Sequence, residues 1–180
     1  VKNNTFHNCT LSGIAVVDKA TATIERNNAH ENVTGILIKN GATADLNWNT
    51  IYKNECGVMV EGIDTSATIQ HSTIQENEQG IKITKGANNV IVGNGNTIYQ
   101  NKQRGVQVHG NGTSATIEHS MIRGNNDGIA ITGGANNPTI RNSIIFDNDT
   151  GIVVIGDGTS ATIESNKIAK NRAGIEIYED

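Results

Sequence analysis

The sequence predicts an all-β solenoid, a right-handed parallel β-helix of about eight coils of 22–25 residues, each coil built from three short strands. Three observations predict it. A glycine followed by an alternating aliphatic strand recurs eight times, a second alternating strand follows each glycine by about eleven residues, and asparagines recur at fixed offsets from a third apolar position.

The glycine-led strands are Gly13-Ile14-Ala15-Val16, Gly35-Ile36-Leu37-Ile38, Gly57-Val58-Met59-Val60, Gly80-Ile81-Lys82-Ile83, Gly105-Val106-Gln107-Val108, Gly128-Ile129-Ala130-Ile131, Gly151-Ile152-Val153-Val154 and Gly174-Ile175-Glu176-Ile177. Their glycines are spaced by 22, 22, 23, 25, 23, 23 and 23 residues. Aliphatic side chains at every second position give each strand one buried face. The second strand carries Ala22 and Ile24, Ala44 and Leu46, Ala67 and Ile69, Val90 and Val92, Ala115 and Ile117, Pro138 and Ile140, and Ala161 and Ile163 facing inward. The third strand contributes one inward residue per coil: Phe6, Ala29, Ile51, Ile74, Ile98, Ile122, Ile145 and Ile168. A period this short leaves no room for a strand plus a helix with both linkers, so each repeat is one all-β rung. Parallel crossovers set its hand as right-handed.

Two polar columns turn the corners. Asn32, Asn54, Asn77, Asn101, Asn125, Asn148 and Asn171 stand three residues after the third-strand apolar position; Asn4, Asn27, Asn49, Ser72, Asn96, Ser120, Ser143 and Asn166 stand two before it. Asparagine tolerates unusual backbone angles, and its amide can bond the equivalent amide one rung away. Cys9 fills an asparagine slot, which makes the first coil degenerate. The two extra residues between Gly80 and Gly105 belong around Gly93-Asn94-Gly95 and near Gln103, where they bulge outward without disturbing the core.

Composition agrees with small aliphatic layers. Apolar residues make up 36% and aromatics only 3%, which excludes a bulky globular core. The net charge is -4 with basic residues scattered, so nucleic acid and anionic membrane are poor partners. No stretch approaches the ~20 apolar residues of a membrane span. Cys9 and Cys56 lie about two coils apart, beyond disulfide reach at ~4.8 Å per layer, and two free thiols are expected. The residues state no compartment; an extracellular or cell-surface setting is the working expectation. Neither end reads as a cap. The expectation is one domain over 1–180, either a piece of a longer solenoid or one able to associate end to end.

The succession of an isoleucine, an asparagine three residues on and a Gly-Ile-x-Ile strand resembles the parallel β-helix repeat shared by carbohydrate-binding proteins and sugar hydrolases, known as the CASH repeat, and by NosD-type proteins of the pectate-lyase-like superfamily. Rungs carrying Gly112-Thr113-Ser114-Ala115 or Gly158-Thr159-Ser160-Ala161 alternate with rungs carrying Gly86-Ala87-Asn88-Asn89 or Gly134-Ala135-Asn136-Asn137. That alternation is similar to the substrate-recognition segment of an F-box ubiquitin ligase subunit, but no F-box-like helical segment accompanies it. The resemblance implies the fold and leaves activity open, because one solenoid serves lyases, hydrolases, epimerases and binders. Neither the paired-aspartate and Gly-His-Gly signature of polygalacturonase-like enzymes nor the Asp-Pro-His motif of alginate epimerases occurs.

Function must come from outward side chains. One column places Arg141 between Glu118 and Glu164, either a basic residue flanked by acids or a cross-rung ion ladder. The neighbouring column holds Arg26, Trp48, His71 and His119, a patch on which a sugar ring can stack over the lone tryptophan. Asp127, Asp147 and Asp149 gather near an asparagine corner, as turn aspartates often do. The second strand presents a double row of mostly hydroxyls, including Thr21/Thr23, Ser114/Thr116 and Ser160/Thr162, interrupted by Asp45 and Asn89/Ile91; regular rows of this kind occur in ice-binding solenoids. No catalytic set, metal site or cofactor is assigned. The expected function is a non-catalytic recognition or scaffold domain binding carbohydrate or protein along an elongated face. The alternatives are a polysaccharide-active enzyme or fragment of one, and an ice-binding or self-stacking solenoid.

Overall fold

The computed structural model describes residues 1–179, and among them 23 strands and no helix. The strands form three parallel sheets that run the length of the solenoid. The first-strand sheet stacks Ser12–Val16, Thr34–Lys39, Cys56–Glu61, Gln79–Thr84, Arg104–His109, Asp127–Thr132, Thr150–Ile155 and Ala173–Tyr178. The second-strand sheet stacks Thr21–Glu25, Thr43–Asn47, Ser66–Gln70, Val90–Gly93, Ala115–Glu118, Thr139–Arg141 and Thr162–Glu164. The third-strand sheet stacks Thr5–His7, Asn28–His30, Thr50–Tyr52, Thr73–Gln75, Thr97–Tyr99, Met121–Arg123, Ile144–Phe146 and Lys167–Ala169. Every neighbour in each sheet is one coil away in sequence, so this is the right-handed parallel β-solenoid that the spacing predicts.

Register follows the predicted columns residue by residue. Ile69 pairs with Val92 and Val92 with Ile117, while Ile74 pairs with Ile98 and Ile98 with Ile122. Ile24, Ile36, Ile51, Ile69, Ile83 and Ile117 are wholly buried. Burying each such side chain stabilises the stack by roughly 1.5–3 kcal/mol, but only when a neighbouring rung covers it. The two insertions stay outside this core: the Val90–Gly93 strand keeps its pairing on both sides of the extra Gly95.

The column after the third strand is a continuous amide ladder from Asn32 to Asn171, whereas serine hydroxyls take over at Ser72, Ser120 and Ser143 in the column before it. Asn54 donates from its main-chain N–H and from Nδ2 to Asn77 Oδ1, at 3.0 and 2.9 Å, and Asn77 repeats both bonds to Asn101 Oδ1 at 3.1 and 3.0 Å. Asn77 Nδ2 also donates to the Ile51 carbonyl of the rung before. The ladder fixes the glycine column beside it: a Cβ on Gly57 would lie 2.6 Å from the Gly80 carbonyl oxygen and 3.0 Å from Asn77 Nδ2. Close approach, not backbone angle, requires glycine there. Cys9 ends the ladder by offering only its main-chain N–H to Asn32 Oδ1.

The two-rung alternation has its own cause. Thr65, Thr113 and Thr159 sit at the corner between first and second strands, and their hydroxyls accept the N–H of Gly41, Gly86 and Gly134 one rung earlier, at 2.9, 2.9 and 2.8 Å. The intervening rungs carry Ala42, Ala87 and Ala135, each fully buried. A hydroxyl rung and a methyl rung thus complement each other.

Both cysteines are free, Cys56 buried and Cys9 partly exposed. Burial pushes the Cys56 thiol up to about 12, which leaves almost no thiolate to react in neutral solution. In mildly alkaline buffer an alkylating reagent will therefore modify Cys9 and spare Cys56 until the chain unfolds; equal rates measured by mass spectrometry contradict that burial. Ile117→Asp, which buries a carboxylate in the central stack, should cost more than about 4 kcal/mol and unfold neighbouring coils together, read as a lowered and still cooperative circular-dichroism melt. Asn77→Ala should cost about 1–3 kcal/mol for each group it leaves unpaired, including the Asn54 N–H, and a melt within error of the parent contradicts a structural ladder.

Candidate functional site

Apart from the Cys9 corner and the one lengthened by Gly95, the corners that flank the third strand are made the same way. The strand ends, one residue takes a left-handed conformation, and the next turns its amide or hydroxyl inward to the ladder. Before the third strand the left-handed residues include Arg26, Trp48, His71 and His119, at φ of 54°, 58°, 49° and 46°. After it they include Glu31, Lys53, Glu76 and Gln100, at 57°, 55°, 54° and 54°. Such angles disfavour bulky residues, and here the rung geometry imposes them while the ladder residue takes the inside. The side chain that pays no part in the ladder is left facing solvent, which is how the small third sheet comes to be framed by large polar and aromatic groups.

The sequence-predicted residues are only partly united. Trp48, 52% exposed, stacks on His71 with ring centroids 4.6 Å apart and planes at 14°. Next in the column come Asn94 and the inserted Gly95, and Gly95 donates its N–H to the His119 carbonyl at 2.8 Å. The rung that carries Asn94 and Gly95 therefore stands between His119 and the Trp48–His71 stack. Arg26 turns to Glu25, at 2.6 Å, in place of the tryptophan. Glu25 also receives Lys2 at 3.1 Å, and the Lys2 hydrogen bond, with the Arg26 charge adding to it, holds the Glu25 carboxyl below its ordinary value.

In the adjoining column Arg141 engages Glu118 through both Nε and Nη2, each 2.8 Å from the same Oε2. Glu164 lies in register beside Arg141 but has no ion-pair partner among the described residues. The aspartates are divided. Arg172 grips Asp149 at 2.7 and 3.1 Å and holds its carboxyl low, whereas Asp127 faces Arg104 at 3.5 Å on the first-strand sheet. Burial pushes the Asp127 carboxyl up, and the attraction of Arg104 only partly offsets it. Among the described residues no group of three or more His, Cys, Asp or Glu side chains is placed to hold a metal. The hydroxyl row is in register along the second-strand sheet, broken at Asp45 and at Ile91, which is 37% exposed.

Sequence reasoning missed the outward column of the third strand. His7 stacks on His30 at 5.1 Å and 6°, and His30 stacks on Tyr52 at 4.7 Å and 15°. Register carries this column on through Gln75, Tyr99, Arg123 and Phe146. The Arg123 guanidinium lies 4.6 Å from the Tyr99 ring centroid, and Lys53 Nζ lies 6.0 Å from that of Tyr52. Trp48, Tyr52, Tyr99 and Phe146 thus gather on one side most of a chain's meagre stock of one Trp, three Tyr and two Phe. The available signal was position: Tyr52, Tyr99 and Phe146 each immediately follow the inward isoleucine of their strand, and Trp48 stands at the corner just before the third strand.

Along the far edge of this column runs an open groove of about 710 Å³, lined by Lys53, Glu55, Glu76, Glu78, Gln100 and Lys102 together with the ladder residues Asn32 and Asn54. Lys102, next to the second insertion, stacks in register on Glu78 and pairs with it at 3.0 Å. Rings, hydroxyls of Thr50, Thr73 and Thr97, and groove therefore form one surface elongated along the solenoid axis.

Comparison with known proteins agrees on the fold. The model of the right handed beta helix region matches residues 1–66 and 56–180. No curated protein matches the chain by sequence. Among solved structures, the A-module of mannuronan C-5 epimerase AlgE4 of Azotobacter vinelandii superposes with a TM-score of 0.72 at 19% identity, over 94% of this chain and 62% of that one. The AlgE6 A-module of the same organism gives 0.65 at 15% identity, over 98% and 50%, and pectate lyase Pel9A gives 0.57 at 12%, over 99% and 64%. The chain thus spans less than two thirds of each of these structures, and identities this low speak for shared architecture alone. On its eight stacked rungs and on a family match that covers its whole length, the chain belongs to the right-handed β-helix region family.

Proposed function

We propose that this solenoid is a non-catalytic recognition domain that holds a polysaccharide along its axis, on the outer face of the third-strand sheet and in the groove beside it. The observation that carries this reading is the line of outward rings, His7, His30, Tyr52 and Tyr99, one per rung apart from the Gln75 rung, with the Trp48–His71 stack on the opposite edge. The stacked rings of the column offer their edges, and Trp48 a face that no other ring or cation covers among the described residues, to the C–H groups of a sugar, and threonine hydroxyls and corner amides supply hydrogen bonds at its edges. A linear polymer meets the same chemistry at each rung, ~4.8 Å apart, so weak contacts add along its length. Arg26, Trp48, His71 and His119 frame one edge of the surface, and the Glu118–Arg141 pair and Glu164 border it one column further out. The enzymes that superpose on this chain are named for mannuronan and pectate, which supports a polysaccharide as ligand class.

A second reading, that the chain is part of a polysaccharide-active enzyme, draws on those same neighbours and on Asp127, whose raised carboxyl beside Arg104 is the kind of group that can exchange a proton. The two readings separate cleanly in a screen of neutral, acidic and amino-sugar polysaccharides that scores both retention and new chain ends. Recognition predicts retention with no product, and a loss of at least about tenfold in affinity, ~1.4 kcal/mol, in Trp48→Ala and in Tyr52→Ala. Product formation abolished by Asp127→Asn would establish the enzymatic reading instead, and unchanged retention in both ring variants would remove the ring face from the account.

A further inference from the structure

We infer that Asn111 is a site of covalent self-modification: its side-chain amide cyclises onto the main-chain nitrogen of Gly112, releases ammonia, and opens in water to aspartate and isoaspartate. The sequence holds three Asn-Gly pairs, Asn40-Gly41, Asn94-Gly95 and Asn111-Gly112. All three asparagines are exposed, so access to solvent does not separate them. Hydrogen bonding does. Gly41 donates its N–H to Thr65 Oγ1 at 2.9 Å, while Asn40 Nδ2 donates to Asp18 Oδ1 at 2.9 Å. Gly95 donates its N–H to the His119 carbonyl at 2.8 Å, while Asn94 Nδ2 donates to Gln70 Oε1 at 3.3 Å. At the third pair neither the Gly112 N–H nor Asn111 Nδ2 has a hydrogen-bond partner among the described residues.

Those two groups are the ones the chemistry uses. Gly112 N gives its proton to hydroxide and bonds to Asn111 Cγ; the Cγ–Nδ2 bond breaks, and the leaving nitrogen takes a proton from water and departs as ammonia. Water then adds to one carbonyl of the cyclic imide. Opening at the Cγ side leaves aspartate, and opening at the main-chain side leaves isoaspartate. A group already engaged in a hydrogen bond must first give it up, at about 1 kcal/mol each, so the two bonds at Asn40-Gly41 or at Asn94-Gly95 slow the reaction by about tenfold or more. Backbone freedom acts in the same direction. Asn111 stands between Gly110 and Gly112, at φ of 95° and 74°, and a corner without these Cβ atoms can swing its nitrogen toward the side chain. Asn40 and Asn94 are instead fixed to the rung before, their carbonyls accepting the N–H of Lys19 and His71.

The two products differ in what they do to the rung. The equivalent corner further along reads Gly156-Asp157-Gly158-Thr159, so aspartate at position 111 is accommodated. Isoaspartate routes the main chain through an extra carbon just before Thr113, whose buried hydroxyl accepts the Gly86 N–H at 2.9 Å and whose own N–H reaches the Gly110 carbonyl at 3.1 Å. It therefore loosens the corner between first and second strands and leaves the third-strand face untouched.

The test is incubation of the folded protein in mildly alkaline buffer, with peptide mass spectrometry following the change from amide to acid at all three sites and an isoaspartate methyltransferase assay identifying the rearranged product. The inference expects Asn111 to convert at least about tenfold faster than Asn40 or Asn94, to a mixture of aspartate and isoaspartate, and the three rates to converge in urea, where the protecting bonds are gone. Thr65→Val removes the acceptor of the Gly41 N–H and should raise the Asn40 rate by about fivefold, the equivalent of one bond, while the Asn111 rate holds. Asp18→Gly, at an exposed residue whose φ of 54° suits glycine, frees Asn40 Nδ2 and gives the same readout where the buried valine lowers stability. Equal rates at the three sites of the folded chain, Asn40 or Asn94 ahead of Asn111, or an Asn40 rate unmoved in both variants overturns the inference. Conversion of Asn111 to aspartate alone overturns the cyclisation, in favour of direct hydrolysis.

Discussion

Each rung of this solenoid is a single strand thick and has no interior of its own, so everything depends on adjacent rungs meeting in one register. The corner amides impose it. Asn54, Asn77, Asn101, Asn125 and Asn148 each accept two N–H groups from one neighbour and donate to the main chain and side chain of others, so a slip of one residue would strand several buried polar groups at once. Aliphatic burial supplies most of the favourable energy and also rejects a slip of one residue, which would turn the inward face outward; because Ile, Val and Leu pack interchangeably, the amides add the finer discrimination among alignments that keep the apolar face inside. The glycine column follows from the same constraint, because the ladder and the next carbonyl occupy the space of a Cβ.

That constraint also generates the surface. With one residue per corner committed to the ladder, the residue before it is driven into a left-handed conformation and outward. Side chains at that position are free to vary, and in this chain they include Trp48, His71, Lys53 and Glu76. The outward column of the third strand lies between two such corners. The stacking of His7, His30 and Tyr52, and the cations laid over Tyr52 and Tyr99, arise because equivalent positions of successive rungs are held one above another.

The architecture was legible in the residues because buried columns repeat their chemistry: an isoleucine over an isoleucine, an asparagine over an asparagine. Even the positions of both insertions could be read, since the columns on either side stay in phase. The functional surface was less legible for the converse reason. His7, His30, Tyr52, Gln75, Tyr99 and Arg123 share no residue type, and they become a column only when their common offset from the inward Ile is followed outward. The Trp48–His71 neighbourhood was visible from spacing, but side-chain choice was not: Arg26 prefers the adjacent Glu25, and Arg141 commits to Glu118 without reaching an ion pair with Glu164. The groove was hidden because it is shaped by the exposed side chains that follow the third strand, Lys102 beside the insertion among them, whose chemistry the repeat does not constrain.

The central claim is that ligand contacts run along the axis on the third-strand face and its groove. Chemical-shift mapping by NMR, with a saturating oligosaccharide that the protein retains, tests it most directly. The account predicts perturbations that follow one side of the solenoid over successive rungs, at Asn28–His30, Thr50–Tyr52 and Thr73–Gln75, at the Trp48 indole, and at Glu55 and Glu76. Perturbations centred on Arg104, Asp127 and Thr150 of the first-strand sheet, with the aromatic face unmoved, would contradict it.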